Sequence, residues 1–355
     1  MKHIRTLIAA CLILIAGAAC QAPSLAENMA PANTAMPAPE ITEPAVSQAK
    51  TITADTLSQL VISETLQVSN SVVNCAWASD GNSIAVMDMT WAGLYSPAGF
   101  EIVSQFTGDE STILYAVSPE AGLAAYSLDG ASIQLYDFAA KADHLSLMPD
   151  FNFANAFFSP DGSQLAVESA DTIEVVVYDT ESGEKINTLS GYETAAPVYS
   201  TSFSPNGKYL LWLSRATAQP MEISSQSFFP ALSHEDFIAA VKMSHDTYKV
   251  ATAAAGTLNG EFQPLITLWG TQTGEAAWQT GNAEYITALD FSADDALLAA
   301  GAKDEIIFFD TSSGKEISRL KISGERISSL DFSPDGKSLL ACNSNGAVAV
   351  WTIKD

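Results

Sequence analysis

Few side chains in this sequence could do chemistry. Of its four histidines, His144, His234 and His245 lie beyond the first 20 residues. His234-Glu235-Asp236 has the composition of a metal or acid–base cluster. Consecutive loop residues do not present converging ligands, however, and a zinc site needs two or more His or Cys at defined spacing. His245 falls inside a recurring turn and reads as a surface turn residue. No G-x-S-x-G elbow, P-loop or dinucleotide fingerprint occurs. Aspartates recur at matching repeat positions, where they end turns by accepting backbone N–H bonds. The expectation is a non-enzyme with no catalytic residue, no metal ligand and no cofactor.

Composition narrows the partners. The chain has 355 residues, 41 acidic against 16 basic, and a formal charge of −25. At 47% hydrophobic and 16% charged it is a globular chain, not a disordered polyelectrolyte. So few Lys and Arg against so many carboxylates disfavour a phosphate-binding patch, and no nucleic-acid partner is expected.

Residues 1–19 combine Lys2 and Arg5, an apolar run from Leu7 to Ile15 and the small residues Ala16-Gly17-Ala18-Ala19. They read as a signal peptide. The apolar run is shorter than the roughly 20 residues that a membrane span needs. Cys20 follows directly, and its placement resembles the lipobox of bacterial lipoproteins, although Gly17 stands where that family usually has an aliphatic residue. The resemblance implies cleavage before Cys20, lipid attachment there and a membrane-anchored exported protein. Ala16-Gly17-Ala18 also suits ordinary signal cleavage, which would leave Cys20 a free thiol. Gln21, not Asp, follows the cysteine, so in a Gram-negative host the expected address is the periplasmic face of the outer membrane. Residues 20–55 read as an Ala/Pro-rich flexible tether, with Pro23, Pro31, Pro37, Pro39 and Pro44. Cys75 and Cys342 remain. Two cysteines of an exported chain can pair, but both fall at small apolar repeat positions, where buried free thiols are the simpler expectation.

The elements that position everything else come from an internal repeat. A hydrophobic-S-P-D-G turn recurs seven times, led by Trp77, Val117, Phe158, Phe203, Met243, Phe291 and Phe332. Its period lies in the low forties, and each unit reads as four short strands separated by Asp/Gly/Ser turns. The units resemble the WD-repeat family of β-propellers across residues 60–355. The resemblance rests on F-S-P-D-G, on b–c turn acids (Asp129, Asp171, Asp304) and on the aromatic-Asp pairs Tyr136-Asp137, Tyr178-Asp179 and Phe309-Asp310. It implies an all-β, seven-bladed propeller. The Gly-His pair that precedes strand a in that family is missing throughout, so its His–Asp–Ser/Thr–Trp hydrogen-bond network is not expected. The last unit reads only to strand c, so residues 60–68 are expected to supply the outer strand that closes the ring.

In propellers of this type the b–c and d–a loops line the face that usually carries partners. Trp91, Tyr192, Phe262, Tyr285 and Arg326 fall there and are of the types enriched at binding hot spots. The expected function is a membrane-tethered, non-catalytic propeller, monomeric, that scaffolds a protein or peptide partner in the bacterial envelope. The alternatives are a hydrolase or lactonase-like enzyme with a channel metal, and a binder of a small ligand or envelope polymer.

Overall fold

The computed structural model describes residues 50–68, 71–190, 200–282, 284–322 and 326–354. The expected signal peptide, Cys20, nearly all of the tether and Tyr192 lie outside them. Seven antiparallel sheets form the blades, each running from an inner strand a to an outer strand d. Blade 1 begins at Asn74, blade 2 at Ile113, blade 3 at Phe153, blade 4 at Ser200, blade 5 at Ala240, blade 6 at Ala288 and blade 7 at Ile327. Among the described residues there is no α-helix, only a 3-10 turn at Leu57–Gln59.

The repeated turn shows why each blade folds as it does. In blade 3, Ser159 Oγ donates to Asp161 Oδ1 (2.6 Å) and accepts from Gln164 N–H (3.0 Å), while Gly162 N–H donates to the Ser159 carbonyl (2.8 Å). Gly162 adopts φ +68°, the left-handed region that glycine enters without steric cost. The same Ser–Asp/Asn bond recurs in blades 4 to 7, at 2.7, 2.5, 2.6 and 2.7 Å. Thr247 and Asp295 take the glycine position in blades 5 and 6, at φ +64° and +55°.

Among the described residues the apolar core is divided and not central. Seven apolar clusters each lie between two neighbouring blades. Successive residues of one strand feed different clusters: Leu339 packs toward blade 6 and Leu340 toward blade 1. This explains why strands b and c are continuous apolar runs, such as Ile84–Met87 and Leu123–Ser127, instead of alternating. Strands covered on both faces need no polar side.

Ring closure follows the sequence expectation. Leu60–Gln67 pairs antiparallel with Ala347–Ile353, with Leu60 opposite Ile353 and Gln67 opposite Ala347, and becomes the outer strand of blade 7. Packing starts earlier in the chain than expected. Ile52, inside the segment read as tether, is buried with Leu57 against blades 6 and 7, and its N–H donates to the Gly336 carbonyl at 2.8 Å.

The cysteines correct the free-thiol expectation. Cys75, on strand a of blade 1, is bonded to Cys342, on strand b of blade 7, with a Cα–Cα separation of 6.3 Å. Both positions are small and apolar as anticipated, but they face each other across the joint where the chain's two ends meet. Ser329 Oγ of blade 7 adds bonds to Asn74 Oδ1 (2.8 Å) and to the Cys75 carbonyl (3.0 Å).

The residue preceding the repeat aromatic carries a second set of ties. In blades 1 to 4 it is Ala76, Ala116, Phe157 and Ser202; in blades 5 to 7 it is Lys242, Asp290 and Asp331. Lys242 Nζ meets Asp290 Oδ1 at 2.7 Å. Asp290 Oδ2 accepts Phe332 N–H at 2.6 Å, and Asp331 Oδ2 accepts Trp77 N–H at 2.7 Å. One chain of polar contacts thus crosses from blade 5 through 6 and 7 to blade 1. Burial and the nearby Asp290 charge push the Asp331 carboxyl up to about 7, against the pull of Lys242.

Two outcomes follow. Cys75→Ala/Cys342→Ala, or reduction of the parent, should lower stability by about 2–5 kcal/mol, read as a shift of the urea midpoint with blade structure retained. For Asp331, a folded value above 3.8 means that the folded state holds the proton more tightly than the unfolded chain. Its favourable contribution is complete below about pH 4 and gone above about pH 7. Asp331→Asn keeps an acceptor for Trp77 N–H, so it should flatten the decline of melting temperature across that window.

Candidate functional site

The face expected to carry a partner is built by anchored loops. Ile238 N–H donates to the Arg215 carbonyl (2.9 Å), Ala239 N–H to Ala253 (2.7 Å) and Thr287 N–H to Gly301 (2.8 Å), so the approaches to blades 5 and 6 are held by backbone bonds. Ser344 N–H donates to the Arg326 carbonyl at 3.0 Å and fixes the approach to blade 7. On this framework, Phe237, Tyr285, Lys303 and Arg326 line one cleft of about 640 Å³ at the mouth of blades 5 to 7, together with Glu284 and Thr287.

Of the residues expected on this face, Tyr285 and Arg326 therefore share a cleft. Phe262 lies apart, exposed near the tip of the long hairpin that joins Lys249–Leu258 to Glu261–Gly270. Trp91 is half-buried. Its ring packs 6.4 Å from Tyr95 on its own blade, and its backbone N–H donates to Asp88 Oδ1 at 2.6 Å. Gly93 between the two rings makes this possible: a Cβ there would sit 2.7 Å from Tyr95 and 2.9 Å from Trp91. Phe237 and Lys303 were missed by the sequence reading. Phe237 is adjacent to His234-Glu235-Asp236, and the polar cluster drew attention away from it.

Exposed apolar side chains gather on this face. The described residues include fourteen large hydrophobics that are exposed. Eight of them occupy b–c or d–a loops or the strand ends beside them: Val73, Met89, Ile113, Leu128, Met148, Phe237, Phe262 and Tyr285. On the opposite face, by the same criterion, stand Tyr248 in an a–b turn and Ile102 at the strand end beside a c–d turn; the rest lie on outer strands. Val73, Met89 and Ile113 line a second opening of about 770 Å³, which runs past Tyr115 and Phe157 along the inner strands of blades 1 to 3.

His245 is an exposed turn residue, as expected, and it also ties two blades together. His245 Nδ1 lies 2.9 Å from Asp295 Oδ1, and Asp295 also accepts the N–H groups of His245 (2.9 Å) and Asp246 (2.8 Å). This buried carboxylate ties the turns of blades 5 and 6, and its hydrogen bond raises the His245 imidazole above its ordinary value. Among the described residues no group of three or more His, Cys, Asp or Glu is placed to hold a metal.

His234 corrects the expectation that the family's hydrogen-bond network is absent. Its Nε2 lies 2.8 Å from Thr252 Oγ1, which also accepts from Trp269 Nε1–H at 2.8 Å, and the two rings meet edge-on at 5.3 Å. The indole can only donate, so the threonine hydroxyl accepts there, while its own proton faces the imidazole nitrogen and, at 3.4 Å, the Thr267 carbonyl. Burial keeps the imidazole neutral by pushing His234 down to about 4. Three members of the network thus stand in blade 5. Ser233, not Gly, precedes His234, which hid the motif in the sequence. Blade 7 keeps the tryptophan alone: Ala341 takes the position of Thr252, and Trp351 Nε1 is buried without a partner.

Thr252→Val should therefore cost about 1–3 kcal/mol in urea unfolding by orphaning two buried groups, whereas Ala341→Ser, by giving Trp351 an acceptor, should gain about 0.5–1.5 kcal/mol. Because the His234 value falls from 6.5 to about 4 on folding, its contribution is full above about pH 6.5 and is lost as pH drops toward about 4. His234→Asn should remove that part of the acid limb in a melting-temperature profile.

Residues 276–309 and 314–352 match the family described as WD domain, G-beta repeat. Each matched stretch starts in or just before the outer strand of one blade and runs through strands a to c of the next. No curated protein matches the chain. The chain thus contains WD repeats within an all-β propeller of seven blades.

Proposed function

We propose that this protein is a non-catalytic scaffold that recruits a partner protein through the b–c/d–a face of its propeller, while a lipid on Cys20 and residues 21–50 tether it to the envelope membrane. WD propellers commonly act as protein-interaction scaffolds. The observation that carries the reading here is the gathering of eight exposed large hydrophobics on one face, against two on the opposite face. Exposed apolar groups on a rigid frame mark contact surfaces. The tether rests on sequence: Cys20 follows a signal-like segment, and thirty residues in an extended, proline-rich state reach up to roughly 90 Å.

Affinity capture and crosslinking from native membranes test the scaffold role. Proteins captured by the parent should be lost from Met89→Ser/Phe262→Ser/Tyr285→Ser and retained by Tyr248→Ser on the opposite face. Retention by the folded triple variant overturns the assignment. Palmitate labelling, with Cys20→Ala as control, tests the anchor.

A further inference from the structure

The cleft at the mouth of blades 5 to 7 differs chemically from the acidic chain that carries it. Its rings are largely open, Phe237 at 52% and Tyr285 at 59% exposure. Its two cations are uncommitted: Lys303 and Arg326 have no ion-pair partner within 4.0 Å among the described residues. By contrast, Arg215 on the same face is paired with Asp236 at 3.2 Å. Thr287 has no hydroxyl proton to spare, since it donates to the Ile327 carbonyl at 2.6 Å. Glu284, also exposed, is the one carboxylate among the described residues that line the cleft, so two cations face one acid there on a chain of net charge −25.

Resting on the reading of this face as the partner surface, we infer that the cleft takes an acidic peptide segment of the partner. A Glu or Asp carboxylate lies against Lys303 and Arg326, with a neighbouring aromatic or aliphatic side chain against Phe237 and Tyr285. A guanidinium receives a carboxylate through two parallel N–H bonds, a geometry that lysine-only sites lack. The exposed rings supply apolar area at little entropic cost. The overall negative charge opposes an acidic partner at long range. At physiological salt that repulsion is screened beyond about 8 Å, whereas contact pairs inside a cleft are screened less. A basic segment meets the same two cations first and is rejected by them.

Fluorescence anisotropy with the full exported chain tests this, using a short fluorescein-labelled peptide with two glutamates flanking a phenylalanine. Its glutamine analogue and its lysine analogue serve as probes of charge. The glutamate peptide should bind, and the glutamine analogue should bind about tenfold more weakly or worse. Lys303→Glu/Arg326→Glu and Phe237→Ala/Tyr285→Ala should each weaken the glutamate peptide by a similar factor. All four side chains are solvent-facing, and circular dichroism checks that the variants fold. Equal binding of the glutamine analogue, preference for the lysine analogue, indifference to charge reversal, or no binding of the glutamate peptide each overturns the inference. The membrane capture experiment separates the two levels. Capture that survives Lys303→Glu/Arg326→Glu but not Met89→Ser/Phe262→Ser/Tyr285→Ser leaves the face standing and removes the acidic chemistry. Capture indifferent to both sets removes the face itself.

Discussion

A ring of sheets has one joint that the covalent order of the chain does not make, and here it lies between blades 7 and 1. Every blade buries its apolar faces only against its two neighbours. An open joint would therefore expose two such faces and an unpaired strand edge. The chain closes it by three means of different physical kind. Residues 60–67 add backbone hydrogen bonds, Cys75–Cys342 adds a covalent tie, and Asp331 and Ser329 add polar contacts to the inner strand of blade 1. The burial of Ile52 and Leu57 extends the first of these.

The charged row Lys242, Asp290 and Asp331 belongs to the same problem. Carboxylates on inner strands would, by type alone, suggest a channel metal. The geometry commits them instead: each accepts a backbone N–H of the next blade, and Lys242 neutralises Asp290. Their asymmetry around the ring, with small or apolar residues in blades 1 to 4, gives the two sides of the inner wall different character. The apolar opening lies along blades 1 to 3, and the cleft with free cations lies over blades 5 to 7.

Internal side-chain bonds and exposed apolar side chains are divided between the two ends of the blades. The a–b turns are spent on internal bonds, Ser to Asp within a blade and His245 to Asp295 between blades. Several described residues of the b–c and d–a loops are fixed through their backbones, which leaves side chains such as Phe237, Tyr285 and Arg326 exposed. Loops held in this way offer a prearranged surface, so less conformational entropy is lost on association.

Local signals were sufficient for the architecture. The S-P-D-G turn needs particular residues at particular dihedrals, so its seven recurrences are written in the chain, and with them the strand order, the blade count and the missing outer strand. Relations between blades were not legible, because they join residues from separate repeats. Cys75 and Cys342 are 267 positions apart and resemble ordinary buried thiols until the ring brings them together. His234 looked like one end of an acidic loop cluster. Only folding sets it against Thr252 and Trp269, where burial makes it a neutral structural group. Trp91 and Tyr285 were equivalent as exposed-loop aromatics in the sequence. Packing separated them, because Gly93 lets one lie down on its own blade while the other stands at an open cleft. Periodicity alone specifies which residues form a blade; which side chains remain free is settled by the neighbours that a closed ring places beside them.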